Sequence, residues 1–256
     1  MRTLTTIWVI VFGLFLIAYL IHPGTPADPK AAEADATNHN ELGRRYYEEG
    51  RLDEAIAEFQ KVIETDPQYA FAYYNLGNAY YRQGRMQDAM YEYKRVLDID
   101  PEYPKAHNNL GLTYFNLGRT FEAIEEYRKA LEADPKDVQA HYNLGNAYSS
   151  LGRFNDAVAA YLEALEADPN DIPSRYNLAN TYYDLGRPDD AIREYMRVLE
   201  LNPNHTGAHN NLGNIYYNQG KVLEAMAEYQ KALEADPDNG QARANLKLAQ
   251  DKLKNG

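Results

Sequence analysis

Cysteine is absent from all 256 residues. That excludes disulfides, thiolate metal ligands and a thiol nucleophile, and leaves the compartment open, because such a chain suits oxidising and reducing surroundings alike. Positive charge is in the minority: 26 Lys and Arg stand against 38 Asp and Glu, for a formal net charge of −12. Nucleic-acid binding ordinarily rests on a basic patch that releases counterions. No basic stripe occurs, so no nucleic-acid partner is expected. A phosphate-binding glycine loop, a nucleophile elbow and a zinc-protease helix are all missing. The chain is therefore read as non-enzymatic, with no cofactor and no metal.

Long apolar runs are also scarce, and the one present is informative. Leu4 to Ile21 reads LTTIWVIVFGLFLIAYLI, with Arg2 before it and no ionisable side chain inside. As a helix it would span about 27 Å, close to the roughly 30 Å of a bilayer's hydrocarbon core. Trp8, the only tryptophan, and Tyr19 lie towards its ends, as interfacial aromatics would. Residues 1–21 are thus expected to be a single transmembrane anchor. The competing reading is a cleaved secretory signal, with Thr25-Pro26-Ala27 or Ala32-Glu33-Ala34 as the small-residue site, although the run exceeds the usual apolar core of such signals. Arg2 favours an inside N-terminus, which would put the rest of the chain on the extracytoplasmic (periplasmic) side; Lys30 near the other flank leaves the cytoplasmic side open. Residues 22–35, with Pro23, Pro26 and Pro29, read as a semi-extended linker.

From Ala36 to Asn239 the chain repeats a 34-residue unit six times: 36–69, 70–103, 104–137, 138–171, 172–205 and 206–239. Positions are counted here from the first residue of each unit. Gly43, Gly77, Gly111, Gly145 and Gly213 hold position 8, where only Ala179 departs. Pro67, Pro101, Pro135, Pro169, Pro203 and Pro237 all hold position 32. A leucine at position 7, tyrosine at 11, alanine at 20 and an aromatic at 24 recur in the same register. Such a period denotes a solenoid in which each unit contacts only its neighbours.

Within a unit, the first helix should end at a glycine in the left-handed conformation (Gly50, Gly84, Gly118, Gly152, Gly186 and Gly220). A second helix should open on acidic residues such as Asp53, Glu54, Asp156 and Asp190, which suit the positive end of its dipole, and stop before the position-32 proline. Residues 240–256 are read as a capping helix that covers the sixth unit through Leu246 and Leu253. Ala179 adds one methyl that should be tolerated.

At about 100° per residue, positions 4, 7, 8 and 11 of the first helix face the second helix, and positions 2, 5, 6, 9, 12 and 13 face an inner surface. That surface is rich in neutral amides. Asn75, Asn109, Asn143, Asn177 and Asn211 occupy position 6, echoed by Asn245 in the last helix, and Asn78, Asn146, Asn180 and Asn214 occupy position 9. Around them stand Tyr74, Tyr142, Tyr176, Tyr81, Phe115, Tyr183 and Tyr217. Amides with two donors and an acceptor can hold the backbone of an extended peptide whatever its side chains. The alternative is that they bond only neighbouring helices and solvent.

Two other constellations have bland readings. His39, His107, His141 and His209 recur at position 4, about 8–10 Å apart on successive helices, too far to share a metal and suited to packing. Glu122, Glu125 and Glu126 follow helical spacing on a second helix and read as a solvated outer face.

The repeat pattern resembles the tetratricopeptide repeat family. The resemblance implies an all-α, right-handed superhelical solenoid of six helix-turn-helix repeats plus the C-terminal capping helix, here preceded by one transmembrane helix. It also implies a protein-binding role. The asparagine ladder is similar to that in the repeat domain of O-linked N-acetylglucosamine transferase, where it contacts the backbone of protein substrates. The carboxylate-gripping groove of other family members does not match, because Arg44 and Lys105 are the only cations at positions 2, 5, 6 and 9 of the six repeats. The expected function is a membrane-tethered scaffold that binds an extended segment of a partner protein. The alternatives are a self-assembling homo-oligomeric scaffold, or the substrate-recruiting subunit of a separate transferase or envelope-assembly complex.

Overall fold

A computed structural model describes residues 29–255, all of whose regular elements are helices. They are α1 (Pro29–Glu48), α2 (Leu52–Thr65), α3 (Ala70–Arg82), α4 (Met86–Ile99), α5 (Pro104–Asn116), α6 (Thr120–Ala133), α7 (Val138–Ser150), α8 (Phe154–Ala167), α9 (Ile172–Asp184), α10 (Pro188–Leu201), α11 (Thr206–Asn218), α12 (Val222–Ala235) and α13 (Gly240–Asn255). From α3 onward every odd-numbered helix begins 34 residues after the last, and α13 begins on the same beat. The chain falls into two compact units, one ending at Pro101 and one starting at Glu102. In each, a helix packs on its hairpin partner and on the next hairpin in sequence.

The anchor expected over residues 1–21 lies outside the described residues. Among the described residues no helix is long and apolar enough to cross a membrane. The linker expected over 22–35 needs correcting at its end, because α1 already begins at Pro29. Proline at a first helical position has its φ preset, and Ala31, Ala32, Glu33 and Ala34 are good helix formers. That stretch therefore continues α1 rather than remaining extended.

Each hairpin turn is built as expected, with one addition. The six turn glycines have φ between 70° and 78°. At Gly84 the glycine N–H donates to the Tyr81 carbonyl and the Arg85 N–H to that of Tyr80, both at 2.9 Å, closing the end of α3. The addition is the cation after the glycine. Arg85 lies 4.2 Å from the centre of the Tyr80 ring and pairs with Asp88 at 2.7 Å. Arg51, Arg119, Arg153 and Arg187 repeat both contacts. The acids opening each second helix thus clamp the turn as well as meeting the helix dipole. The second helices end at Asp66, Asp100, Asp134, Asp168, Asn202 and Asp236, all extended. Asp66 Oδ1 accepts the Gln68 N–H at 3.0 Å, an Asx turn that carries the chain past the proline.

The hairpin core is a close approach between position 8 and the aromatic at position 24. A β-carbon on Gly145 would lie 2.5 Å from Tyr161 Cε1, and the equivalents at Gly43, Gly77, Gly111 and Gly213 are as tight. Alanines at positions 3 and 20, such as Ala140 and Ala157, are fully buried around the ring. Ala179 is likewise fully buried, clustered with Tyr195 and Ala191, so the fifth repeat accommodates its methyl. In α13 it is Leu246, with the buried Ala249, that packs on the sixth repeat. Leu253, expected to share that role, is 51% exposed: it lies on the face of Leu246, two turns further on, and is not part of that cluster.

Position 3 also exposes a local fault. Ala72, Ala106, Ala140, Ala208 and Ala242 fill it elsewhere, but the fifth repeat carries Ser174, fully buried, with no hydrogen-bond partner for its Oγ. A buried hydroxyl without a partner costs about 1–3 kcal/mol. Ser174→Ala is therefore expected to raise unfolding free energy by roughly 1 kcal/mol in a denaturant titration, with no change in helix content.

Candidate functional site

The aromatic at position 24 links the core to the inner surface. Its ring packs beneath position 8 and its hydroxyl reaches the amide one residue further along the first helix. Tyr161 Oη donates to Asn146 Oδ1 at 2.7 Å, Tyr195 to Asn180 at 2.5 Å and Tyr229 to Asn214 at 2.9 Å in the second unit; Tyr93 does the same for Asn78 at 2.7 Å in the first. Burial raises the pKa of Tyr161 and Tyr195, and that of Tyr229 to about 12, so these hydroxyls remain protonated donors. Where position 9 is Arg44, the partner is Phe59, which has no hydroxyl to place.

The position-6 amides play a different part from the one the sequence suggested. Asn75 and Asn143 are buried, and each donates across to the preceding repeat: Asn75 Nδ2 to Asn40 Oδ1 at 3.1 Å, Asn143 Nδ2 to Asn108 Oδ1 at 3.0 Å. Further along, Asn177 Nδ2 reaches Asn146 Oδ1 at 2.8 Å, with the Tyr142 hydroxyl at 3.5 Å. Asn211 Nδ2 lies 3.0 Å from both Tyr176 Oη and Asn180 Oδ1. Asn245 Nδ2 does the same with Asn210 and Asn214, both at 3.0 Å. At Asn177, Asn211 and Asn245 position 6 thus bridges positions 5 and 9 of the repeat before, whereas Asn75 and Asn143 bond to position 5, position 9 there being Arg44 and Leu112. Asn109 is half-buried, and its carbonyl accepts from Thr113 Oγ1.

Sequence reasoning passed over position 5 as a polar site. Asn40, Asn108 and Asn210 are buried acceptors there, alternating with Tyr74, Tyr142 and Tyr176. The signal was present, since asparagine and tyrosine share an acceptor oxygen and little else. Tyr74, Tyr142 and Tyr176 also pack against the position-24 rings, with centroids 5.8–6.3 Å apart. Tyr81 and Tyr217 are half-buried, and Tyr183 is 40% exposed.

The consequence concerns the position-9 amides of the second unit. Each Oδ1 of Asn146, Asn180 and Asn214 already accepts twice, from a tyrosine of its own repeat and an asparagine of the next. What each leaves over is its N–H side. Asn146 and Asn214 donate to no group among the described residues, and Asn180 has only a 3.5 Å contact with Asn177 Oδ1. The Asn146 and Asn214 amide nitrogens are not buried orphans, so they meet solvent. Asn180 and Asn214 open into a cavity of about 340 Å³ that Tyr183, Asp184, Tyr195 and Asn211 complete.

Comparison with known families fits this geometry. The model described as "Tetratricopeptide repeat" matches residues 108–172 and 176–240, and that described as "TPR repeat" matches 43–84 and 77–118. The chain belongs to the tetratricopeptide repeat family. Among solved structures it is similar to YrrB, described as a TPR protein with an unusual peptide-binding site: 26% identity, TM-score 0.62, covering 74% of this chain and 97% of that one. It is similar to MamA at 28% identity and TM-score 0.61, over 65% of this chain and 97% of MamA. The pilF protein of Pseudomonas aeruginosa, at 17% identity and TM-score 0.73 over 84% of this chain and 97% of its own, shares the repeat fold. No curated protein matches.

The position-4 histidines are hydrogen-bond staples rather than simple packing residues. His209 Nδ1 meets Glu228 at 2.6 Å while its Nε2 meets the Pro203 carbonyl at 2.9 Å, tying its helix both to its hairpin partner and to the preceding turn. His107 pairs with Glu126 at 2.6 Å and His39 with Glu58 at 2.5 Å; Arg175 makes the equivalent pair with Glu194. Glu126 is therefore not solvated as expected: its side chain is 12% exposed, whereas Glu122 and Glu125 are open. Burial alone would raise the Glu126 pKa, but hydrogen bonds from His107 and Lys129 outweigh it and hold the group ionised. Among the described residues no cluster of three His, Asp or Glu could hold a metal.

The second repeat breaks this pattern, because Tyr73 stands where the histidine would. Glu92 then loses its partner, and burial raises its pKa from 4.5 to about 7 despite nearby Arg95. A carboxyl with a raised folded-state pKa favours the fold below its unfolded pKa, and that stability is lost as pH rises through the folded value. Glu92→Gln is expected to melt higher than the parent at about pH 8 and close to it at about pH 4, by thermal unfolding. An equal gap at both pH values would show that Glu92 does not titrate in this way.

Proposed function

We propose that the chain is a non-catalytic scaffold whose second unit holds an extended segment of a partner protein against the Asn146, Asn180 and Asn214 amides. The observation that carries this is the exhaustion of their oxygens by internal bonds, which leaves a row of outward N–H donors. Such a row suits backbone carbonyls, which every peptide offers. Neighbouring helices pack about 8–10 Å apart and an extended chain rises about 3.3 Å per residue. Successive amides would then meet about every third residue. Leu112 and Leu248 occupy position 9 on either side, bounding the row with apolar side chains. Each hydrogen bond contributes about 0.5–1.5 kcal/mol net, so affinity needs several together with the aromatic walls. Membership of a family that mostly serves protein interaction, and likeness to a solved structure described by its peptide-binding site, support the reading.

In the same proposal, residues 4–21 tether the scaffold to a membrane, with the repeats on the extracytoplasmic side. An 18-residue apolar run without an ionisable side chain, and the Arg2 that precedes it, support this part.

The test separates the two duties of the amides. Asn→Asp at residues 146, 180 and 214 keeps the Oδ1 acceptor, and so both internal bonds to it, while removing the donors. With the full chain in detergent, dodecapeptides selected from a random displayed library are expected to bind this triple variant at least about tenfold more weakly, while circular dichroism and thermal unfolding show the fold retained. Unchanged affinity in the folded variant would remove these amides from binding.

A further inference from the structure

Two position-12 tyrosines have a cation as neighbour. In the first unit the Arg82 guanidinium lies 5.1 Å from the Tyr47 ring centre, and in the second unit Lys252 Nζ lies 4.3 Å from that of Tyr217. In both cases the cation comes from position 13 of the following repeat register. The fold therefore twice seats a cation on the tyrosine at this place. Tyr183 has no such cation. The residue that would cover it is Asn218, a neutral amide whose Nδ2 donates to the Tyr183 hydroxyl at 2.8 Å. That bond fixes the ring by its edge. Among the described residues no cation lies over the Tyr183 face, which is 40% exposed.

Beside it, in the same cavity, is Asp184. Position 13 is basic or neutral in the second, third, fourth and sixth repeats, as Arg82, Asn116, Ser150 and Asn218 show, and acidic in the first, at Glu48; in the second unit Asp184 is the only carboxylate at this place. Among the described residues Asp184 makes no ion pair. Its charge is felt by Tyr195 Oη at the cavity wall, adding to the rise in the Tyr195 pKa that burial begins. An aromatic face held by its edge, a carboxylate without a counter-ion and an outward amide from Asn214 are thus gathered around one opening.

We infer that this cavity is a subsite for a basic side chain, lysine or arginine, of the segment bound in the groove, with the cation over Tyr183 and paired with Asp184 while the adjoining backbone carbonyl meets the Asn180 or Asn214 amide. The inference rests on the proposed groove and adds to it a preference that backbone contacts cannot supply. A cation over an aromatic ring is favourable where it also finds a carboxylate, and the chain's net charge of −12 favours approach of a basic segment.

The test uses the same displayed dodecapeptide library, selected separately on the full chain, on Asp184→Asn, on Asp184→Lys and on the triple Asn→Asp variant of the groove. Parent-selected peptides are expected to share one basic position. Replacing that residue by alanine in a synthetic peptide should weaken binding to the parent by about tenfold, and should change binding to Asp184→Asn much less. Asp184→Lys should lose the basic preference. If the parent selects peptides without a shared basic position, and the triple variant still fails to bind them, the subsite is wrong and the groove stands. If the triple variant selects and binds the same peptides as the parent, the groove itself is wrong and the subsite falls with it.

Discussion

The tyrosine at position 24 is the constraint on which most of this molecule depends. Its ring fills the space left by a glycine or alanine at position 8, closing the hairpin, and its hydroxyl ends at the amide of position 9, where the inner surface begins. Core packing and groove chemistry are thus set by one rigid side chain with two torsions. A ring shifted by more than about an ångström would leave the hydroxyl out of reach of the amide, and an amide turned over would present its oxygen to solvent. The glycine at position 8 matters to the groove for this reason, although it lies on the opposite face of its helix.

How far the sequence disclosed this differs from residue to residue. The turn glycines and the position-32 prolines were legible because each residue type does one thing there: a left-handed cap at little steric cost, or a helix stop. The same logic reaches Gly145 and Tyr161, which only a close helix approach explains. Asparagine is harder to read, since its side chain donates and accepts and can face either way. Asn143 and Asn146 lie three residues apart on one helix face, yet the first is buried in a bond to Asn108 and the second turns its N–H side outward. The difference is made by Tyr161 and by the next repeat, neither of which periodicity weighs. Glu126 was misread for a related cause: its spacing is that of an exposed row, but His107 draws it in. The start of α1 was misread because the three prolines of residues 22–35 were given one meaning, whereas Pro29 stands at a first helical position.

The amide network also explains why the inner surface is neutral in a strongly acidic chain. Asn177, Asn211 and Asn245 each span two oxygens of the repeat before, positions 5 and 9, and a charged group there would have to be desolvated with no counter-ion in reach. An asparagine satisfies the geometry without that cost. Away from the inner side, the histidine or arginine at position 4 meets glutamate of its own hairpin and the carbonyl of the preceding proline. Neighbouring hairpins are thus tied at two places, by the amides on the inner side and by the contact to the proline carbonyl away from it.

In a repeat protein the period builds the scaffold, and departures from it mark where one surface becomes unlike the rest. Leu112 and Leu248 interrupt the position-9 amides in the second unit, limiting the donor row to three. Asn218 holds the Tyr183 hydroxyl and leaves its face open, and Asp184 places a carboxylate where the second, third, fourth and sixth repeats carry a neutral or basic residue. Each change is small in itself, and the fold tolerates it because the 24-to-9 tyrosine bond and the 6-to-9 amide bond are kept around it. On the proposed function, specificity can therefore vary at positions 12 and 13 while the position-9 amides stay fixed, because those two positions project beyond the amide network that holds the repeats together.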